Sequence, residues 1–168
     1  MSEQKKRCIV GIDPGYNGAI AIMYFDPSTD PKECELFIES MPVKRVENRP
    51  PEIDLAHLVK LLVPHRPFCR YVALEKVFLM PFQDIGSGAR YIYGAGQIHG
   101  LCVGLGLPVL PIIPGVWKSA LHLSSDKRAS LKLARELFPN YSQEFRRMKD
   151  DGRAEAVLIA HFARRLVK

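Results

Sequence analysis

The stretch Lys149-Asp150-Asp151-Gly152-Arg153-Ala154-Glu155-Ala156-Val157-Leu158-Ile159-Ala160 decides how the rest of the chain is read. Carboxylates crowd the start of an apolar helical run. Asp151 and Glu155 are four apart, so on a helix they share one face. Like charges stacked there repel by a few tenths of a kcal/mol. A cation between them would turn that repulsion into coordination. The plainer reading is a helix N-terminus, whose dipole favours acidic residues in the first turn. The choice between the two rests on whether two distant carboxylates, Asp13 and Glu75, reach the same place.

Both distant carboxylates close apolar runs. Residues 7–13 (Arg-Cys-Ile-Val-Gly-Ile-Asp) read as a buried strand, and Pro14 and Gly15 then force a turn. Residues 18–25 read as the returning strand, and 33–39 as a third strand at a sheet edge. Residues 40–51 are rich in proline and charge and read as a loop. A helical stripe at 53, 55, 58, 59, 62 and 63 predicts a helix over 52–63, stopped by Pro64 and Pro67. Residues 71–75 (Tyr-Val-Ala-Leu-Glu) are a fourth strand. Burying an unpaired Glu75 would cost several kcal/mol, so it is paired, exposed at the strand tip, or a ligand.

Further on, 79–88 reads as a mobile loop and 89–106 as a helix studded with small residues. Glycine costs a helix up to about 1 kcal/mol each. So many predict close approach by another backbone, either the sheet or a partner subunit. Residues 107–113 are a fifth strand, 114–121 a short helix with Trp117 in the core, and 125–138 a capped basic amphipathic helix. A basic connector, 139–149, precedes the final helix. The expected fold class is therefore α/β: a five-stranded mixed sheet, its first three strands antiparallel, flanked by helices in a single domain over 1–168.

Composition agrees with a globular chain: 47% hydrophobic and 25% charged. No apolar run approaches the roughly 20 residues of a membrane span, and residues 1–7 lack a signal-peptide core. Cys8, Cys34, Cys69 and Cys102 are widely spaced with no Cys-x-x-Cys pair, which argues against a zinc knuckle and suits a reducing compartment. Residues 1–113 carry 12 Lys/Arg and 12 Asp/Glu, whereas 114–168 carry 12 and 6. The net charge of +6 therefore sits wholly in the last third. A basic third beside clustered carboxylates suits a polyanion held against a metal site. Five scattered histidines and no glycine-framed serine argue against Ser-His-Asp catalysis.

If the first and fourth strands are neighbours, their tips lie about 5 Å apart. A final helix over that edge would complete a set of oxygen donors suited to Mg²⁺ or Mn²⁺. Two such ions, roughly 3.5–4 Å apart, can activate water and stabilise a leaving oxygen in phosphodiester hydrolysis.

Gly11-Ile-Asp13-Pro-Gly15, Glu75-Lys76-Val77-Phe78 and the acidic opening of the last helix together resemble the RuvC family of Holliday-junction resolvases. That family lies in the ribonuclease H-like superfamily, and the Asp-Asp-Gly-Arg-Ala-Glu-Ala ending is most similar to its phage and organellar branch. The resemblance covers nearly the full chain. It implies a ribonuclease H-like fold and a crossover junction endodeoxyribonuclease that makes paired symmetric nicks, with two Mg²⁺ or Mn²⁺ ions per site.

Carried over residue by residue, Asp13 and Glu75 match the first two metal ligands. Asp151 and Glu155 match the last two, at a spacing of four where the bacterial pattern has three. Asp150 competes with Asp151, and helix geometry favours Asp151. Phe78 matches an aromatic inserted into the junction, with Phe82 as competitor. Lys118 and Lys127 resemble two lysines at the cut phosphate, at a shorter spacing than the family's. Arg146, Arg147, Lys149 and Arg153 are candidate DNA-backbone contacts.

The resemblance also implies a homodimer, matching the two-fold symmetry of a four-way junction, with 89–106 as its interface. Branch-migration or recombination proteins are expected helpers, and a cytoplasmic, nucleoid-associated location is expected. The rivals are a ribonuclease H-like nuclease for other branched or hybrid nucleic acids, a catalytically silent junction-binding protein, and an ATP-binding sugar-kinase-like domain. The last lacks a second lobe at this length.

Overall fold

The structure, a computed structural model, describes residues 7–26, 30–79 and 84–166. Among the described residues, seven strands and five α-helices follow in order. They are β1 (Arg7–Asp13), β2 (Ala19–Phe25), β3 (Glu35–Ser40), β4 (Val43–Lys44), β5 (Glu52–Ile53), α1 (Leu55–Leu62), β6 (Cys69–Glu75), α2 (Ile85–Gly104), β7 (Val109–Ile112), α3 (Pro114–Ala120), α4 (Lys127–Leu137) and α5 (Asp151–Arg164). Five strands make the main sheet in the order β3-β2-β1-β6-β7. The first three are antiparallel, and β6 and β7 run parallel to β1. This is the mixed α/β sheet expected from the sequence.

Alternation along β1 and β6 decides which face receives which side chains. Cys8, Val10 and Ile12, with Val72 and Leu74, pack against Leu58 and Leu62 of α1 and Ile98 and Cys102 of α2. Ile9 and Ala73 pack on the other face against Trp117 of α3, Leu131 of α4 and the apolar side of α5. Continuing that alternation, Asp13 and Glu75 fall on the α5 face. Each lies one residue past the paired Ile12 and Leu74, so the two carboxylates end neighbouring parallel strands.

Two glycines set how close α5 comes. A β-carbon on Gly11 would overlap the Ala156 carbonyl oxygen and stand 2.6 Å from the Ala160 nitrogen. One on Gly152 would overlap the Asn17 carbonyl oxygen and stand 2.8 Å from the Gly18 Cα. The first contact seats α5 directly on β1, and the second seats its N-terminus against the β1–β2 turn. The helix therefore lies across the β1–β2 face of the sheet, with its first turns at the tips of β1 and β6.

Other expectations are corrected. The 40–51 loop is the body of a small hairpin, with β4 paired to β5. The helix expected from residue 52 starts at Leu55, capped by Asp54, because Glu52 and Ile53 are taken up in that hairpin. The helix expected from residue 89 starts at Ile85: the Asp84 side chain caps it at Ser87 N, so 85–88 is helix rather than loop. Phe82, the second candidate junction aromatic, lies outside the described residues. The glycines of α2 do not admit the sheet. A β-carbon on Gly94 would stand 3.5 Å from Ile53, and one on Gly96, Gly100 or Gly104 would meet nothing within 4 Å. Among the described residues, no helix is long and apolar enough to cross a membrane.

Candidate nuclease site

A cleft of about 370 Å³ opens where β1 and β6 end beneath the first turns of α5. Asp13, Glu75, Asp151 and Glu155 all line it, together with Lys118, Lys127 and Tyr91. The four expected carboxylates are thus brought to one place from two strand tips and one helix face.

Their environments differ. Asp13 accepts a 3.2 Å hydrogen bond from the backbone N–H of Gly15. Shielding from water, then the charge of nearby Glu75, push its carboxyl up to about 7, and Glu155 and Asp151 add to this. Glu75 is 8% exposed and accepts a 2.8 Å hydrogen bond from the Trp117 indole N–H. Burial raises its carboxyl above the usual range, against the lowering effect of that bond. Glu155 Oε1 receives Lys118 Nζ at 2.9 Å and the Ser130 hydroxyl at 3.2 Å. Asp151 pairs with Lys127 Nζ at 2.5 Å, which raises the pKa of that lysine.

Each lysine draws one carboxylate of α5 to itself. Consistent with that, no three His, Cys, Asp or Glu side chains among the described residues are grouped closely enough to hold a metal ion. The donor chemistry nevertheless fits a hard divalent cation: every candidate ligand is a carboxylate oxygen, and Asp13 is raised by burial first and then by the charge of the neighbouring carboxylates Glu75, Glu155 and Asp151.

Asp150 is oriented differently. Its carboxylate accepts from Arg147 N at 2.7 Å and from the Arg147 guanidinium at 2.9 and 3.2 Å, closing the turn ahead of α5. It does not line the carboxylate cleft, whereas Asp151 does.

Phe78 is 48% exposed, three residues beyond Glu75, with the Lys76 ammonium 5.5 Å from its ring centre. Of the expected backbone contacts, Arg146 and Lys149 are exposed. Arg147 is engaged with Asp150, and Arg153 with Glu144 at 2.6 Å and Ser40 at 3.1 Å.

Three features of the site escaped the sequence reading. Trp117 is fully buried as expected, but its N–H reaches Glu75; that a buried indole needs an acceptor was the available signal. Ser130, on α4, steadies Glu155. Tyr91, on α2, lines the cleft, and burial first, then Asp13, raise its hydroxyl pKa. Neither Ser130 nor Tyr91 stands in a motif that would single it out.

No family model matches the chain. It is 35% identical over 100 residues to the chloroplastic Holliday junction resolvase MOC1 of Chlamydomonas reinhardtii; the match covers 58% of this chain and 11% of that protein. The chain thus spans about a tenth of its curated relative's length. Two structures of RuvC from Thermus thermophilus superpose on it, one solved in complex with a Holliday junction substrate. Their TM-scores are 0.64 and 0.62, each at 18% identity and covering 95% of this chain and 96% of the RuvC chain. The protein therefore has the ribonuclease H-like fold of RuvC, the fold that its three carboxylate motifs led us to expect.

Proposed function

We propose that the protein is a structure-specific DNA endonuclease, a crossover junction endodeoxyribonuclease that resolves four-way junctions by paired symmetric nicks. The observation that carries this reading is the meeting of Asp13, Glu75, Asp151 and Glu155 with Lys118 and Lys127 in one cleft of a RuvC-like fold. The resolvase named among its relatives and the junction bound in one RuvC structure support the choice of substrate.

The four carboxylates are the residues that would hold Mg²⁺ or Mn²⁺, two ions to a site. Bound there, the metal would supply an activated water and charge stabilisation at the leaving oxygen of a phosphodiester. The chain's own residues do the rest. Trp117 fixes the orientation of Glu75, and Ser130 that of Glu155. Lys118 and Lys127 hold positive charge at the cleft, where a phosphate's developing negative charge needs it. Phe78 is half exposed three residues beyond Glu75, and stacking of such a ring on an unpaired base contributes about 1–3 kcal/mol.

A junction with two-fold symmetry calls for two sites, so the protein acts as a homodimer. The outward side of α2 is its interface: Ile92, Tyr93 and Val103 are exposed there, and a β-carbon on Gly96 or Gly100 would meet nothing within 4 Å. Such a protein works in a DNA-bearing compartment alongside recombination or branch-migration proteins.

The test is cleavage with Mg²⁺ of an immobile four-way junction, a linear duplex of the same sequence and an RNA–DNA hybrid. The expected result is paired, symmetric nicks on the junction alone. Preferential cutting of the hybrid would overturn the junction assignment in favour of a ribonuclease H activity. Tight junction binding without cutting in either metal would overturn the enzyme assignment.

A further inference from the structure

The carboxylate cleft does not end at Asp151. It continues into a wider groove of about 850 Å³, and the two share Tyr16, Asn17, Gly18, Lys127 and Asp151. One wall of the groove is the segment 147–153 leading into α5. The other includes Val43 and Arg45 of the β4–β5 hairpin.

The charge of this groove can be followed side chain by side chain. It is lined by five cations, Arg45, Lys127, Arg147, Lys149 and Arg153, and by two acids, Asp150 and Asp151. Lys127 is paired with Asp151, Arg147 with Asp150, and Arg153 with Glu144 outside the groove. Both acids are therefore neutralised. Arg45 and Lys149 are exposed and make no ion pair among the described residues. They stand one on each wall.

The walls are built to hold their places. Val43 and Lys44 pair with Ile53 and Glu52. Lys44 Nζ lies 3.4 Å from Asp54, and Met41 N donates to Gly18 O at 2.9 Å, tying the hairpin's base to the β1–β2 turn. Asn48 turns the hairpin tip with φ +58°. On the opposite wall, Arg153 bonds Ser40 at 3.1 Å, linking the start of α5 to the end of β3.

We infer that this groove is a second nucleic-acid site, the track along which the sugar-phosphate backbone leaves the carboxylate cleft. The β4–β5 hairpin is its outer wall, and Arg45 and Lys149 are its opposed phosphate contacts. A strand laid from the carboxylates past Asn17 and Gly18 runs between two unspent cations, so its phosphates replace the missing counter-charge. This inference rests on the DNA reading of the carboxylate cleft and adds to it a direction and a binding element.

The test measures the salt dependence of four-way junction binding in a chelator for wild type, Arg45→Ala, Lys149→Ala, the double variant and Lys60→Ala. Lys60 is an exposed lysine on α1, on the far face of the sheet. Each of Arg45 and Lys149 is expected to lower the slope of log K against log salt by about one unit, the double variant by about two, and Lys60→Ala by none. Cutting at saturating protein with Mg²⁺ is expected to stay within about twofold of wild type for Lys60→Ala, which lies outside both sites. Arg45→Ala with the slope of Lys60→Ala, while wild type binds and cuts the junction, would overturn the groove alone. A wild type that neither binds nor cuts DNA would overturn the underlying reading and the groove together. Thermal melts of each variant separate either outcome from loss of fold.

Discussion

The indole N–H of Trp117 donates a 2.8 Å hydrogen bond to Oε1 of Glu75, and the two meet inside the core, at 0% and 8% exposure. A buried carboxylate at a strand tip is held in one orientation by a residue 42 positions away. Trp117→Phe keeps an aromatic in place and removes the donor. It is expected to cost about 1–3 kcal/mol of stability from the unpaired carboxylate and the smaller ring. The indole bond lowers the Glu75 carboxyl, so its loss raises that group further. The acid limb of the cleavage–pH profile then moves to higher pH. A merely structural role would lower the melting temperature and leave that limb where it was.

Asp150 and Asp151 are adjacent but are expected to fail in opposite ways. Asp150 is 3% exposed and closes the turn onto Arg147, whose guanidinium holds its carboxyl below the usual range. Asp150→Asn should cost about 1–3 kcal/mol and leave cleavage near wild type at a temperature where the variant is folded. Asp151 faces the cleft and an exposed lysine. Asp151→Asn should change stability by less than about 1 kcal/mol and abolish cleavage. Melts and junction cleavage on the same two preparations check both.

Gly11 and Gly96 make a second contrast. Gly11→Ala drives a β-carbon into the backbone of α5. It should cost about 3 kcal/mol or more, because two packed backbones must separate. At Gly96 the added carbon meets nothing within the chain. Gly96→Ala should therefore stabilise the monomer by up to about 1 kcal/mol through helix propensity, while weakening self-association through α2. Sedimentation equilibrium beside thermal melts distinguishes the two effects. Gly96→Ala with unchanged self-association would remove α2 as the interface.

His161 sets a pH dependence away from the site. It is 8% exposed, its ring stands edge-on to Phe138 at 5.8 Å, and its Nδ1 has no hydrogen-bond partner among the described residues. Burial, then the charges of Arg164 and Arg165, push its pKa down to about 4. Between there and about 6.5 the unfolded chain binds a proton that the folded chain refuses. Stability from this group is therefore full above that window and is lost as pH falls through it, by on the order of 3 kcal/mol. Asp13, raised to about 7, works in the opposite sense in the metal-free protein. The difference between wild type and His161→Leu isolates the histidine: urea unfolding from pH 4 to pH 7 should give a wild-type curve that rises relative to the variant.

The parts of the fold legible in the sequence were those written locally. β1 is an apolar run cut by Asp13-Pro14-Gly15, β6 one that stops at Glu75, and α5 an apolar helix with an acidic first turn. Their carboxylates could be placed before any contact was known. The β4–β5 hairpin was hidden because each strand contributes two residues and its pairing is fixed from outside, by Met41 on Gly18 and Asp54 on Pro42. The start of α2 was masked by Gly86 and Gly88, poor helix formers, although the Asp84 cap on Ser87 was its sign. The bond from Trp117 to Glu75 and the groove between Arg45 and Lys149 depend on residues far apart in sequence, and only the folded chain brings them together.

The central claim is that Asp13, Glu75, Asp151 and Glu155 form the cutting centre. It is tested most directly by Asp13→Asn and Glu75→Gln, each assayed for four-way junction binding in a chelator and for junction cleavage with Mg²⁺. The expected result is wild-type binding with cleavage reduced to background in both. Cleavage by either variant at the wild-type rate would contradict the claim and move the chemistry elsewhere on the molecule.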